Sequence, residues 1–109
     1  MTDQEIYDRV KAHLLTQMAK SEDNSGSCLY RGPNGLKCAI GCLIPDEIYR
    51  LSIEHTGVHK LLYFRNMDRC LSMRNLPLLK ELQRVHDACE VADWAKALRE
   101  VAEIFQLNP

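Results

Sequence analysis

Apolar residues recur every four positions at the start of the chain, at Ile6, Val10, Leu14 and Met18, and Tyr7 and Leu15 widen the stripe. That spacing predicts one face of an amphipathic helix over about Asp3 to about Lys20. Thr2 and Glu5 stand just ahead of it, three positions apart. This is the spacing of a capping box, in which each side chain bonds the other's backbone N–H. His13 borders the apolar stripe and is read as sitting at its wet edge. The pattern then stops, because Ser21 to Ser27 holds no apolar side chain and reads as a turn-forming loop.

From Cys28 the period changes. Pro33-Asn34-Gly35 is a turn signal, with proline presetting the first φ and glycine free to take the left-handed conformation. A three-residue loop there sets Gly32 opposite Leu36, Tyr30 opposite Cys38 and Cys28 opposite Ile40. Side chains alternate across a strand, so Cys28, Tyr30, Leu36, Cys38 and Ile40 share one face, and Leu29, Arg31 and Lys37 share the other. The result is a β-hairpin over about 27–38, apolar inside and basic outside. A four-residue loop instead pairs Arg31 with Leu36 and mixes the faces, since a one-residue slip reverses them.

The remaining elements are helical. Ala39 to Ile44 is a short apolar run without alternation, read as a short buried helix that Pro45 ends. Pro45-Asp46-Glu47 then reads as the start of another, with proline and acids in its first turn. Residues 50–76 give a weaker signal. Val58, Leu61, Leu62 and Phe64 suggest one short helix, and Asn66 to Asn75 is assigned no structure. Pro77 opens a firmer helix with Leu78, Leu79, Leu82, Val85 and Cys89 on one face. Asp93 is placed at the cap of a last helix striped by Trp94, Leu98, Val101, Ile104 and Phe105. The fold class expected is therefore α+β, a mainly helical single domain spanning 1–109, with one β-hairpin packed on helices.

Composition narrows the function classes. A hydrophobic share of 46% and a charged share of 27% belong to a soluble globular protein rather than a disordered one. Fourteen basic and fifteen acidic residues leave a net charge of −1. That balance argues against nucleic acid as a partner, since such binders concentrate basic surface. The only basic positions in its favour are Arg31 and Lys37 on the outer hairpin face, with Lys60, Arg65, Arg69 and Arg74 beyond. No apolar run reaches the ~20 residues that span a bilayer, and the acidic start of the chain lacks the form of a signal peptide. Five cysteines, an odd number, read as reduced thiols in a cytoplasm, with no internal disulfide.

Three groups of residues invite chemistry. Cys38 lies beside Lys37 and before a helix, and both features lower a thiol's pKa. With His86 it is the candidate for a cysteine-dependent enzyme. The hairpin register, however, turns Cys38 inward, so no catalytic residue is assigned. Cys28, Cys38 and Cys42 are the candidate metal ligands, with His86 or Cys89 as a fourth. Zinc modules repeat paired Cys-x2–4-Cys or His-x3–5-His groups; only Cys38-x3-Cys42 and His55-x3-His59 meet that spacing, with Gly57 inside the latter, so no metal or other cofactor is assigned either. His86-Asp87 resembles a hydrolase pair in type only, because neighbours on a helix point about 100° apart. His86 follows Leu79 and Leu82 at helical spacing and reads as a packed histidine. Tyr30, Arg31, Asn34 and Lys37, around the turn, are the candidate binding residues.

The stretch Cys-x-Tyr-Arg-Gly-Pro-x-Gly-x-Lys-Cys-Ala-x-Gly-x-Leu-Ile-Pro-Asp-Glu, from Cys28 to Glu47, resembles that of a group of small phage and proteobacterial proteins of unassigned activity. His86-Asp87 and the tryptophan-led last helix extend the likeness over most of the chain. More distantly, Cys38 to Leu43 is similar to the Cys-Ala-x-Gly-Ala-Leu core of another bacterial domain, where alanine stands at the position of Cys42. The resemblance implies a phage or prophage setting, hence a host cell's cytoplasm, and no mechanism. The function expected is that of a non-enzymatic accessory protein that binds a host or phage protein, or a small ligand. A cysteine-dependent enzyme and a zinc-stabilised interaction module are the alternatives. The oligomeric state is left open.

Overall fold

The computed structural model describes residues 1–109, and four α-helices organise it: α1 (Asp3–Gln17), α2 (Val58–Leu61), α3 (Leu76–Ala88) and α4 (Trp94–Phe105). Thr2 and Glu5 close the capping box at the start of α1, Thr2 N–H donating to Glu5 Oε1 at 2.8 Å and Glu5 N–H to Thr2 Oγ1 at 3.1 Å. The helix stops at Gln17, short of Lys20, because Met18 turns into the left-handed region at φ 49°. Ile6, Tyr7, Val10 and Leu14 form its buried face. α3 and α4 bury Leu78, Leu79, Leu82 and Val85, and Trp94, Leu98 and Val101, respectively. The three long helices pack on one another around a single core of 24 buried residues. Tyr7 ties the first helix to the last by donating its hydroxyl hydrogen to the Leu98 carbonyl at 2.9 Å inside that core. Asp93 holds the cap position of α4, but its side chain makes no cap bond.

The α+β expectation is overturned: the molecule is helical and holds no strand. The reversal at Pro33–Gly35 is present, with Gly32 N–H donating to the Leu36 carbonyl at 2.8 Å and Asn34 and Gly35 at φ 60° and 76°. It carries a single bridge, Arg31 with Lys37, and a second isolated bridge joins Glu22 to Cys28. No hairpin spans 27–38, because the Tyr30 N–H, which a continued ladder would direct at Cys38, is claimed from outside. The Glu54 carboxylate accepts the N–H groups of Tyr30 at 2.7 Å and Arg31 at 3.0 Å. Gln17 Oε1 accepts the N–H of Lys37 at 3.0 Å, and Gln17 Nε2 donates to the Lys37 carbonyl at 2.8 Å. A lone two-stranded ribbon is marginal in water, whereas bonds to an ionised carboxylate are among the stronger hydrogen bonds.

The exposed basic face fails with the hairpin. Arg31 is folded inward, its Nη2 2.7 Å from Asp46 and 2.9 Å from the Ile44 carbonyl, with its guanidinium 4.5 Å from the centre of the Tyr49 ring. Tyr30 and Cys38 are buried, and Cys28 is half-buried. The expected helix over residues 39–44 shrinks to a 3-10 turn at Gly41–Leu43, and a simple turn replaces the one after Pro45. Residues 50–75 run through further 3-10 turns at Leu51–Ile53, Met67–Arg69 and Met73–Asn75. The first of these delivers Glu54, which also accepts the Tyr49 hydroxyl hydrogen at 2.7 Å. Replacing Glu54 by glutamine keeps the shape but removes the charge and sets an NH2 group against donors. Bonds to charged groups contribute about 1.5–3 kcal/mol each, so Glu54→Gln is expected to lower the unfolding free energy in urea by about 2 kcal/mol. A loss below about 0.5 kcal/mol, the range of an inert surface change, would mean that Glu54 does not hold this segment.

Candidate functional site

α3 carries polar residues on a face that is otherwise apolar. Gln83 and His86 are buried, at 8% and 1% exposure, and Asp87 lies at the edge of that face. Positions three and four apart on a helix are neighbours, so Gln83 reaches both of the others. The loop before the Pro33 turn lays Cys28 against them.

The hydrogen bonds of this cluster form one connected set. Ile40 N–H donates to Gln83 Oε1 at 3.2 Å and thereby fixes which way the amide points. Gln83 Nε2 then donates to Cys28 Sγ and to Asp87 Oδ1, both at 2.9 Å. His86 Nδ1 lies 2.7 Å from Asp87 Oδ1, and Ser21 N–H donates to His86 Nε2 at 2.9 Å. The imidazole stacks on Trp94, ring centres 5.6 Å apart at 29°.

The protonation states follow from these partners. Burial works to raise the Asp87 carboxyl, but hydrogen bonds from His86, Cys28 and Gln83 hold it below the usual carboxylate range. The adjoining Cys38 thiol and burial push the Cys28 thiol far up, so it stays protonated near neutral pH. Burial opposes a charge on His86, whereas hydrogen bonds to Asp87 and Cys28 draw its pKa upward. Ser21 acts with burial. Its N–H points at Nε2, where an imidazolium would set two N–H groups head to head. This geometry therefore holds the neutral ring, with its proton on Nδ1 facing Asp87.

One ligand atom each from Cys28, His86 and Asp87 lies within 4.8 Å of the others, the spacing of a three-ligand metal centre. The tautomer works against that use. Ligation through Nδ1 would move the ring proton onto Nε2, against the Ser21 N–H, and ligation through Nε2 would displace Ser21 altogether. Nor do Cys38 and Cys42 join Cys28 in a ligand set.

Two openings reach the cluster. A cleft of about 500 Å³ is lined by Cys28, Tyr30, Thr56, Lys80, Gln83 and Asp87 among others, and a smaller pocket of about 130 Å³ touches Cys28, His86 and Asp87 from the side of Lys20 and Glu22. Among the residues singled out in the sequence, Tyr30 lines the larger cleft and donates its hydroxyl hydrogen to the Thr56 carbonyl. Asn34 is exposed at the turn, and Lys37 lines a different groove. Cys38 is fully buried, and its sulfur accepts the Gly41 N–H at 3.3 Å. Cys42 is half-buried, donates to the Ala39 carbonyl at 3.0 Å, and is pushed by burial up to about 11.

Gln83 was not legible as a site residue, although it was signalled. It is a polar residue one helical turn before His86-Asp87, beside the apolar positions Leu82 and Leu79. No protein-family model, curated protein or solved structure matches the chain, so these residues carry the functional argument unaided.

Proposed function

We propose that the protein is a non-enzymatic binding protein, an accessory factor of phage or prophage type that takes a small polar ligand in the cleft over Cys28, Gln83 and Asp87. The observation that carries this reading is the state of His86. A general base needs a free ring nitrogen within reach of the proton it abstracts, and both nitrogens of His86 are committed, one to Ser21 and one to Asp87. The Cys28 thiol is held protonated, opposite to the low pKa of reactive cysteines. What remains open is a concave site of ligand-pocket size, with a few polar groups converging on it.

The charges of the cleft favour a molecule with both an amino and an acid group. Asp87 presents a carboxylate that is partly open to water, and Lys80, exposed on the same wall, has no ion-pair partner. The test is a thermal-shift screen of amino acids and short zwitterionic metabolites against the wild type and Lys80→Ala. At least one compound is expected to raise the melting temperature of the wild type and to lose that effect in the variant. Alkylation of Cys28 by iodoacetamide at pH 7 is expected to be slower than that of free cysteine. A Cys28 thiol that reacts faster than free cysteine, with a rate that falls in Asp87→Asn, would replace this reading with the cysteine-enzyme alternative.

A further inference from the structure

The larger concavity of the molecule is a groove of about 690 Å³, separate from the Cys28 cluster in its lining. Arg9 reaches it from α1, Lys37 from the segment after the turn, and Arg69 and Arg74 from two successive 3-10 turns. None of these four side chains has a carboxylate within 4.0 Å, because the ion pairs of the protein are Arg31 with Asp46, Arg84 with Glu81 and His86 with Asp87. Two acids line the same groove, and Arg31 already holds one of them, Asp46. Asp68 is the remaining one. Four cations therefore face one uncommitted carboxylate, in a chain whose net charge is −1.

Like charges gathered in a concavity repel one another and focus a positive potential there, and an anion removes that cost. Guanidinium groups grip phosphate through paired N–H bonds, and a lysine adds a compact point charge. Arg9 and Lys37 line the groove together with Cys42, and the charge of each favours the ionised form of that thiol. The size is that of a small-molecule pocket, in the usual range of about 300–1,000 Å³. No aromatic ring lines it. Single-stranded nucleic acids are held by stacking bases on such rings, so the groove lacks what would favour a strand over a small molecule.

We propose that this groove binds a small diphosphate that carries hydroxyl groups beside its phosphates. Arg69, Arg74 and Arg9 hold the phosphates together with Lys37, and Asp68 accepts a hydroxyl hydrogen from the rest of the ligand. The site is independent of the cleft over Cys28.

Isothermal titration of the whole chain with inorganic pyrophosphate and with a nucleoside diphosphate tests this, at low salt and at 0.15 M salt. Both ligands are expected to bind, the nucleotide more tightly, and sulfate much more weakly than either. Arg69→Gln, Arg74→Gln and Arg9→Gln should each weaken pyrophosphate by five-fold or more, and Asp68→Asn should weaken the nucleotide alone. Lys80→Ala, in the other cleft, should change neither. The arginines are exposed, so circular dichroism should show each variant folded, and any one folded variant suffices to decide. Pyrophosphate affinity equal to that of sulfate, or unchanged in the folded arginine variants, would overturn the proposal. So would a short single-stranded RNA that binds ten-fold more tightly than the nucleotide, which would make a nucleic acid the occupant.

Discussion

Gly41→Ala is expected to leave a chain that is folded only marginally, if at all. A Cβ built on Gly41 would lie 1.9 Å from the Tyr30 carbonyl oxygen and 2.8 Å from the carbonyl carbon. Both are backbone atoms, so no side chain can swing aside to make room. Tyr30 is held from three directions: its N–H is bonded to Glu54, its hydroxyl to the Thr56 carbonyl, and its ring is buried. Moving the Tyr30 carbonyl away from Gly41 therefore breaks the anchoring by Glu54 as well. Overpacking a core costs about 1–3 kcal/mol when side chains can adjust, and a backbone clash lies at or beyond the top of that range. At roughly 4–8 °C per kcal/mol for a domain near this size, the melting temperature should fall by 12 °C or more. Gly57→Ala is the control. Its backbone sits at φ −65° with nothing within 4 Å of the added methyl, and its melting temperature should move by only a degree or two. Equal effects at the two glycines would show that the Tyr30–Gly41 contact is not a fixed point of the fold.

That contact also explains what the sequence could show and what it could not. The long helices were legible because each repeats an apolar period over several turns, as Ile6, Val10 and Leu14 do, and each period is satisfied by burying one face. Gly41 lies inside the apolar run read as a buried helix, but its partner was not legible, since nothing local to residue 41 points to Tyr30. The hairpin failed for the same reason. Its turn residues and its alternation are real local signals, and the chain does reverse at Asn34 and Gly35. Whether two extended segments pair is settled by competition for backbone N–H groups. Here the winning acceptor is Glu54, from a stretch with no periodic signal, which takes the Tyr30 N–H that the ladder needs.

The candidate site divides along similar lines. His86-Asp87 stood out as a pair, and the spacing from Leu79 and Leu82 placed His86 on the packed face. Cys28 stood out as a possible ligand only. That Ser21 would cap the imidazole, and that Gln83 would join the thiol to the carboxylate, depends on a loop lying across α3. A pattern within either segment cannot reveal this. The basic groove is the extreme case, because Arg9, Lys37, Arg69 and Arg74 are spread over most of the chain and meet only in three dimensions.

His86→Ala should be the other severe substitution, and it separates a structural histidine from a reactive one. The ring is 1% exposed and fills the space between α3 and Trp94, so truncation opens a cavity in a packed region. Deleting a large core side chain costs about 2–5 kcal/mol. It also strands the Ser21 N–H, a buried donor whose lost partner adds a desolvation penalty of about 1–3 kcal/mol. Relaxation and water entry recover part of this, so the expected loss is about 4 kcal/mol, a large share of the roughly 5–15 kcal/mol that holds a typical domain together. The emission of Trp94, the one tryptophan of the chain, should shift to the red as water reaches its ring. His86→Gln should recover a good part of the stability, since its carbonyl can accept the Ser21 N–H and its NH2 can donate to Asp87. Urea titration of the three proteins, followed through Trp94, measures all of this at once. The outcome that contradicts the account is a His86→Ala protein as stable as the wild type but with an altered rate of Cys28 alkylation. The imidazole would then be serving the thiol rather than pinning the Ser21 loop onto α3.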